Sequence, residues 1–190
     1  IAEVQFTVPK RQQAQKVLAA WDLGTDLENT SAAMGTCVFL AAQPKENRQE
    51  DGKPEISEIL DNCIAGLEKA VGRIDPPWGE VNRHVRGDLN LPVAGGPDIL
   101  RAIYGRGLDE DGYLTNVAGD GLYYLVEWDA AGALTVEGVH QFGSATLDKA
   151  SPHYADQAQD YTLEMLHDPW FSEAALQQNL LRAYRPGDKP

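Results

Sequence analysis

The side chains best suited to acid, base, nucleophile or metal chemistry in this chain are four histidines, at 84, 140, 153 and 167, and two cysteines, Cys37 and Cys63. No two histidines stand four apart as in a helical zinc site, and the two cysteines are too few for a disulfide framework and badly spaced for zinc. Ser144 lies in Phe142-Gly143-Ser144-Ala145, which lacks the strand, elbow and helix that activate a hydrolase serine. Ala94-Gly95-Gly96-Pro97 precedes a possible helix, but it has neither the Lys-Ser/Thr of a phosphate loop nor a dinucleotide fingerprint, so it reads as a turn. His153 and Asp156 stand three apart at an expected helix start. That spacing suits orienting an imidazole, but satisfying the helix N-terminus is the favoured role. Asp109-Glu110-Asp111-Gly112 lacks the alternating ligands and final Glu of a calcium loop and reads as a solvated acidic turn. Asn82, Arg83, His84 and Arg86 form a polar cluster able either to line a cleft or to hold a segment down. None of these sets is a complete active site. No residue is assigned a catalytic, cofactor-binding or metal-binding role, and no cofactor is expected.

Composition narrows the classes further. Of 190 residues, 29 are acidic and 16 basic, a net charge of −13, which argues against a nucleic-acid partner. The apolar share of 43%, with four Trp and seven Tyr, is that of a folded chain able to bury a core. No run approaches the roughly 20 apolar residues of a membrane span; the nearest, Ala32 to Ala42, is broken by Gly35 and Thr36. The chain therefore reads as soluble, with no membrane partner. Ile1 to Lys10 carries no secretory signal, and the absence of an initiating Met fits a processed product or an excised segment. Cys37 and Cys63 both fall on expected helices, where two small buried apolar residues are a better reading than a disulfide.

The elements that must position these residues follow from periodicity. Ile56, Ile59, Leu60, Cys63, Ile64, Leu67, Val71 and Ile74 recur every three or four residues and predict a helix from about Pro54 to Arg73. Asn29, Thr30 and Ser31 offer caps to a mostly buried helix over Ala32 to Ala42. The two helices form an antiparallel hairpin around an exposed loop at Gln43 to Lys53. A shorter helix is expected from Lys10 to Trp21, after Pro9. Residues 76–120, rich in Pro and Gly, are expected to wrap over something larger. Leu122, Tyr124, Val126 and Trp128 alternate with their neighbours as in a half-buried strand, and Leu134 to Phe142 pairs with it through a turn at Gly132. Ser151-Pro152 opens a helix carrying Tyr154, Ala158, Tyr161 and Met165, and Asp168-Pro169 stops it. Ser172 caps a last short helix. The class is α+β: residues 1–75 mainly helical, 76–120 a wrapping segment, 121–143 a β-hairpin and 151–190 a helical end, all one segment.

Four stretches together resemble one family. They are Trp21-Asp22 with Asp26 to Ala33, Pro77-Trp78-Gly79-Glu80-Val81-Asn82-Arg83, Gly95-Gly96, and above all Ser151-Pro152-His153-Tyr154-Ala155-Asp156-Gln157. In order and spacing they resemble the C-terminal part of the β-chain in the penicillin acylase family, closest in flavour to acyl-homoserine-lactone and lipopeptide acylases. The resemblance covers about Ala19 to Ser172. It implies an αββα N-terminal-nucleophile hydrolase that cleaves itself into α- and β-chains and is exported to the periplasm or secreted. It further implies that the β-chain opens with a catalytic Ser whose own α-amino group is the base, and that an Asn completes the oxyanion hole. Ile1 has no nucleophilic side chain, so the nucleophile, the oxyanion Asn and a nearby Arg are expected upstream of this segment. None of them is carried onto a position here, and Trp78 to Arg83 and His153 to Gln157 are expected to be structural. The implied partners are the rest of the acylase precursor and an N-acyl small molecule, and the segment alone is expected to be inactive.

The competing reading is an acidic, non-enzymatic binding module that uses the aromatic hairpin residues Tyr123, Tyr124, Trp128 and Phe142 as its contact surface.

Overall fold

A computed structural model describes residues 4–43 and 55–180, together with 182, 183, 185 and 187. Apart from Gln43, the loop expected at Gln43 to Lys53 lies outside the described residues, as does Pro54, where a helix was expected to start.

Three helices build the first core. Pro9 opens α1 (Pro9–Ala19) at the position where a missing N–H costs nothing. Helix α2 (Ala32–Ala42) starts where expected, and of the three candidate caps it is Asn29 whose Oδ1 accepts from the Ser31 and Ala32 N–H groups, at 2.9 and 3.0 Å. Helix α3 (Ile56–Val71) buries Ile59, Leu60, Cys63, Ile64 and Leu67, the stripe that the three-and-four spacing demands. These residues join Ala14, Ala32, Ala33, Met34 and Val38 in one cluster. Each fully buried Leu or Ile contributes about 1.5–3 kcal/mol to that core. Arg11 of α1 makes a two-pronged ion pair with Asp61 of α3, at 2.8 and 2.6 Å. It orients the helices more than it stabilises them, because both groups face solvent.

Cys37 and Cys63 are disulfide-bonded, which corrects the expectation of two separate buried thiols. Their helices pack side by side with the two Cα atoms 5.9 Å apart, within the range a disulfide spans. Sequence spacing alone does not fix which turns of two helices meet.

Residues 82–119, expected as a wrapping segment, form four strands instead: β1 (Asn82–Arg86), β2 (Leu89–Pro92), β3 (Ile103–Leu108) and β4 (Leu114–Gly119). A single turn, α4 (Trp78–Val81), feeds β1. The sheet order is β2-β1-β4-β3, with β1 parallel to β4 and the other pairs antiparallel. Strands of four to six residues are too short to show their alternation through the intervening Pro and Gly. Pro92 is tolerated because β2 lies at an edge. The possible helix after Pro97 is also absent. A turn replaces it, closed by Gly96 N–H to Arg101 O at 3.2 Å and Ile103 N–H to Gly96 O at 3.1 Å.

The hairpin of β5 (Leu122–Trp128) and β6 (Leu134–His140) forms in register, Leu122 opposite His140 and Trp128 opposite Leu134, with Gly132 at φ 83° in the turn. Only its base is buried. Val139 and Tyr123 pack with Val93, Ile103 and Tyr161 in a second core, while most of β5 is exposed rather than half-buried.

The helix expected from Pro152 is replaced by turns, and only α5 (Ala158–Thr162) is helical. The carbonyls and N–H groups that would start the longer helix are used elsewhere. Ala145 N–H donates to His153 O at 3.0 Å, and Gln157 N–H, which would bond His153 O in a helix, donates to Phe142 O at 2.8 Å. The last helix, α6 (Glu173–Asn179), is capped by Ser172, whose Oγ accepts from Ala175 N–H at 3.1 Å. Helix and sheet content is thus mixed, in the α+β class.

Candidate functional site

The polar cluster picked out on β1 sits where the two cores meet. Alternation along the strand puts Asn82, His84 and Arg86 on one face and Arg83 and Val85 on the other. Just before it, the buried Trp78 donates its indole N–H to Gly95 O at 2.7 Å, and Asn82 Nδ2 donates to Val93 O at 2.7 Å. Gly95 in turn donates to Thr25 O at 3.3 Å, and Trp78 and Gly79 N–H groups bond Asn29 O and Leu27 O at 3.0 and 2.8 Å. The stretches at 21–31, 77–83 and 95–96 therefore converge on one hydrogen-bonded hub. Gly95 takes φ 101°, and a Cβ there would lie 2.5 Å from Arg101 O, so the hub requires glycine at that point.

The second half of β1 clasps the chain at 141–157. His84, 1% exposed, bonds Gln141 O through Nε2 at 2.7 Å. A carbonyl only accepts, so Nε2 carries the proton, and Nδ1 has no hydrogen-bond partner among the described residues. The ring stacks on Phe142 at 4.9 Å and lies 5.3 Å from Tyr161. Burial holds its pKa below the usual histidine range, the Gln141 carbonyl opposes this, and the charges of Arg101 and Arg86 lower it further. Arg86 is sandwiched between Phe142 and Tyr154, 4.4 and 3.8 Å from the ring centres, and donates to Thr146 O at 2.6 Å and Tyr154 O at 3.2 Å.

Beside this clasp lies a buried cation that the sequence reading did not single out. Arg101, 8% exposed, donates through Nη1 to Tyr161 O, and its Nη2 is 3.2 Å from the Glu164 carboxylate. Tyr161 donates its hydroxyl to Asp120 O at 2.7 Å. Burial pushes the Tyr161 phenol up to about 12, ahead of the opposing Arg101 charge. The one available signal was a lone cation inside the apolar stretch Ile99 to Ile103. In the sequence, spacing places Tyr161 only on the face of an expected helix.

The other predicted positions fall outside this group. His153 Nδ1 and Asp156 Oδ2 pair at 2.7 Å on the exposed side of the 151–157 turns rather than at a helix N-terminus. His140 Nδ1 accepts from the Phe142 and Gly143 N–H groups at 3.2 Å each, and His167 bonds Asp160 at 3.0 Å. Asp109 closes its own turn, accepting from Asp111 and Tyr113 N–H groups. An apolar cleft of about 340 Å³ opens between α1 and α2 beside Leu18, Trp21, Val38 and Phe39; no titratable group lines it. Among the described residues no group of His, Cys, Asp or Glu is arranged to hold a metal ion, and no helix is long and apolar enough to cross a membrane.

A family model described as Penicillin amidase matches residues 2–178. The chain belongs to the penicillin amidase family. The match supports an acylase-like hydrolase scaffold. In this member the stretches that resemble the family act through hydrogen bonds to backbone atoms: 77–83 tethers 27–29 and 93–95, and 151–157 is clasped by Arg86 and bonded to Phe142 and His140.

The clasp makes stability pH-dependent with a definite sign. Below about 6.5 an unfolded His84 binds a proton that the folded one refuses until lower pH, so stability is complete above that value and falls as pH drops toward the folded pKa. Unfolding free energies measured across this window should slope downward toward acid, and His84→Gln should flatten the slope. An unchanged slope in the variant would refute the assignment.

Proposed function

We propose that this chain is the C-terminal scaffold portion of the β-chain of an αββα N-terminal-nucleophile amide hydrolase, completed by polypeptide that carries the nucleophile. The observation that carries the reading is the family match over residues 2–178. The enzyme would remove the acyl group from N-acyl compounds such as acyl-homoserine lactones, lipopeptides or penicillins. An N-terminal Ser outside this chain attacks the acyl carbonyl, its own amine takes the hydroxyl proton, and fixed N–H donors hold the oxyanion until the amine leaves and water clears the acyl-enzyme. The residues described here contribute none of those groups. Their part is structural, through the hub around Gly95 and the clasp of Arg86 and His84. The Cys37–Cys63 disulfide supports export to the periplasm or beyond, because such bonds persist in oxidising compartments.

The test is deacylation of a panel of phenylacetyl and fatty-acyl amides, read as released amine. Activity is expected from the complete enzyme and not from this chain alone. Turnover by this chain alone, retained after Ser144→Ala, would overturn the reading.

A further inference from the structure

An arginine presents two parallel N–H groups, from Nε and Nη2, along one edge of its guanidinium, and a planar carboxylate takes both at once. Three arginines of this chain use that edge fully. Arg11 gives it to the two oxygens of Asp61 at 2.8 and 2.6 Å, Arg83 to Asn90 Oδ1 and O at 2.7 and 2.6 Å, and Arg86 to Tyr154 O and Thr146 O at 3.2 and 2.6 Å. Arg101 is different. It lies between β2 and β3 with its side chain 8% exposed, and only Nη1 donates a hydrogen bond, to Tyr161 O. Its Nε and Nη2 are buried and have no hydrogen-bond partner among the described residues. A buried polar group in that condition is costly, and a charged one most of all.

One side chain answers the charge. Glu164 Oε1 is 3.2 Å from Arg101 Nη2, close enough for an ion pair but not aligned for a hydrogen bond, and the Glu164 side chain is 64% exposed. The Glu164 backbone N–H donates at 3.4 Å to the same Tyr161 O that takes Arg101 Nη1, which tethers the carboxylate beside the fork. The Tyr161 ring centre lies 4.9 Å from the guanidinium carbon, and Tyr123 meets that ring edge-on at 6.2 Å. Burial pushes the Tyr123 phenol up, the Arg101 charge draws it down and Glu164 raises it, so the phenol feels both charges. A carboxylate on a long, solvent-exposed side chain is weakly held, because water screens it and ordering it costs entropy. We propose that the Nε–Nη2 edge of Arg101 is a binding site for a small carboxylate taken from solution, with the Glu164 side chain as its displaceable resident. The resident and the fork together set the ligand's chemistry: two coplanar oxygens that share one negative charge. The site does not depend on the reaction proposed above.

The experiment follows the thermal midpoint of the complete protein as sodium acetate or sodium formate is added, with sodium chloride at equal ionic strength as the reference. Glu164→Gln keeps the length of an exposed side chain and removes the competing charge, so the half-saturating acetate concentration should fall by about tenfold relative to the unchanged protein. Acetate and formate should raise the midpoint at lower concentrations than chloride, which cannot span both N–H groups. Arg101→Lys keeps a cation and loses the fork, and added to Glu164→Gln it should abolish the preference for acetate over chloride. If Arg101→Lys does not fold, the comparison of Glu164→Gln with the unchanged protein decides alone. Equal half-saturating concentrations in those two proteins, or a response to acetate no stronger than to chloride, would overturn the site. An acetate response that survives Arg101→Lys would place the ligand elsewhere and overturn it as well.

Discussion

Trp78→Ala is expected to destabilise the fold by about 3–5 kcal/mol, the range for deleting a large buried aromatic with incomplete collapse around it. Trp78 is 1% exposed within the helical core, and its indole N–H bonds Gly95 O at 2.7 Å. The substitution therefore removes packing on one side and a tie to the sheet on the other. Asn82 Nδ2 remains near Gly95 O at 3.4 Å, so the carbonyl is weakened rather than orphaned. Trp78→Phe separates the two contributions: it keeps most of the volume, loses only the hydrogen bond, and should cost about 1–2 kcal/mol. Denaturant unfolding of both variants checks this. Equal losses would mean that the hydrogen bond, not the packing, carries the effect. Against a total stability of roughly 5–15 kcal/mol, a loss at the upper end of the alanine range is enough to unfold a marginal domain.

The second large effect lies in the Cys37–Cys63 disulfide. Cys37→Ala with Cys63→Ala should lower stability by about 2–4 kcal/mol, because a bridge across 26 residues restricts the unfolded chain strongly. Helix content should survive, since Met34 and Leu60 remain buried between the same helices. The expected signature is a thermal midpoint lower by on the order of 10 °C with far-ultraviolet dichroism little changed below it. Reducing agent should reproduce the shift in the native protein and leave the double variant unaffected. If reduction moves both proteins equally, the bridge is not the cause.

Family and class were legible in the sequence because they rest on local signals. The stripe of α3, the caps of α2 and α6 and the alternation of β5 and β6 are contained within a few turns or pairs of residues. The four short strands of 82–119 were not legible, because strands of four to six residues broken by Pro and Gly carry too few repeats to reveal a period. The aromatic hairpin surface was legible only in part. Tyr124 and Trp128 are exposed as the binding-module reading required, whereas Phe142 stacks on buried His84 and Tyr123 packs into the second core.

Sequence alone determined the acidic charge, the α3 stripe, the alternation of the hairpin strands and the resemblance to an amide-hydrolase family, since composition, short-range periodicity and the order of motifs along the chain are all properties of the chain before it folds. Tertiary structure alone decided that Cys37 meets Cys63, that Arg101 is buried against Tyr161, and that residues 151–157 give up a helix to bond Phe142 and Ala145. The physical reason is common to all three. A disulfide, a buried cation and a diverted backbone carbonyl each depend on a partner distant in the chain, and only the packed elements bring that partner within bonding distance.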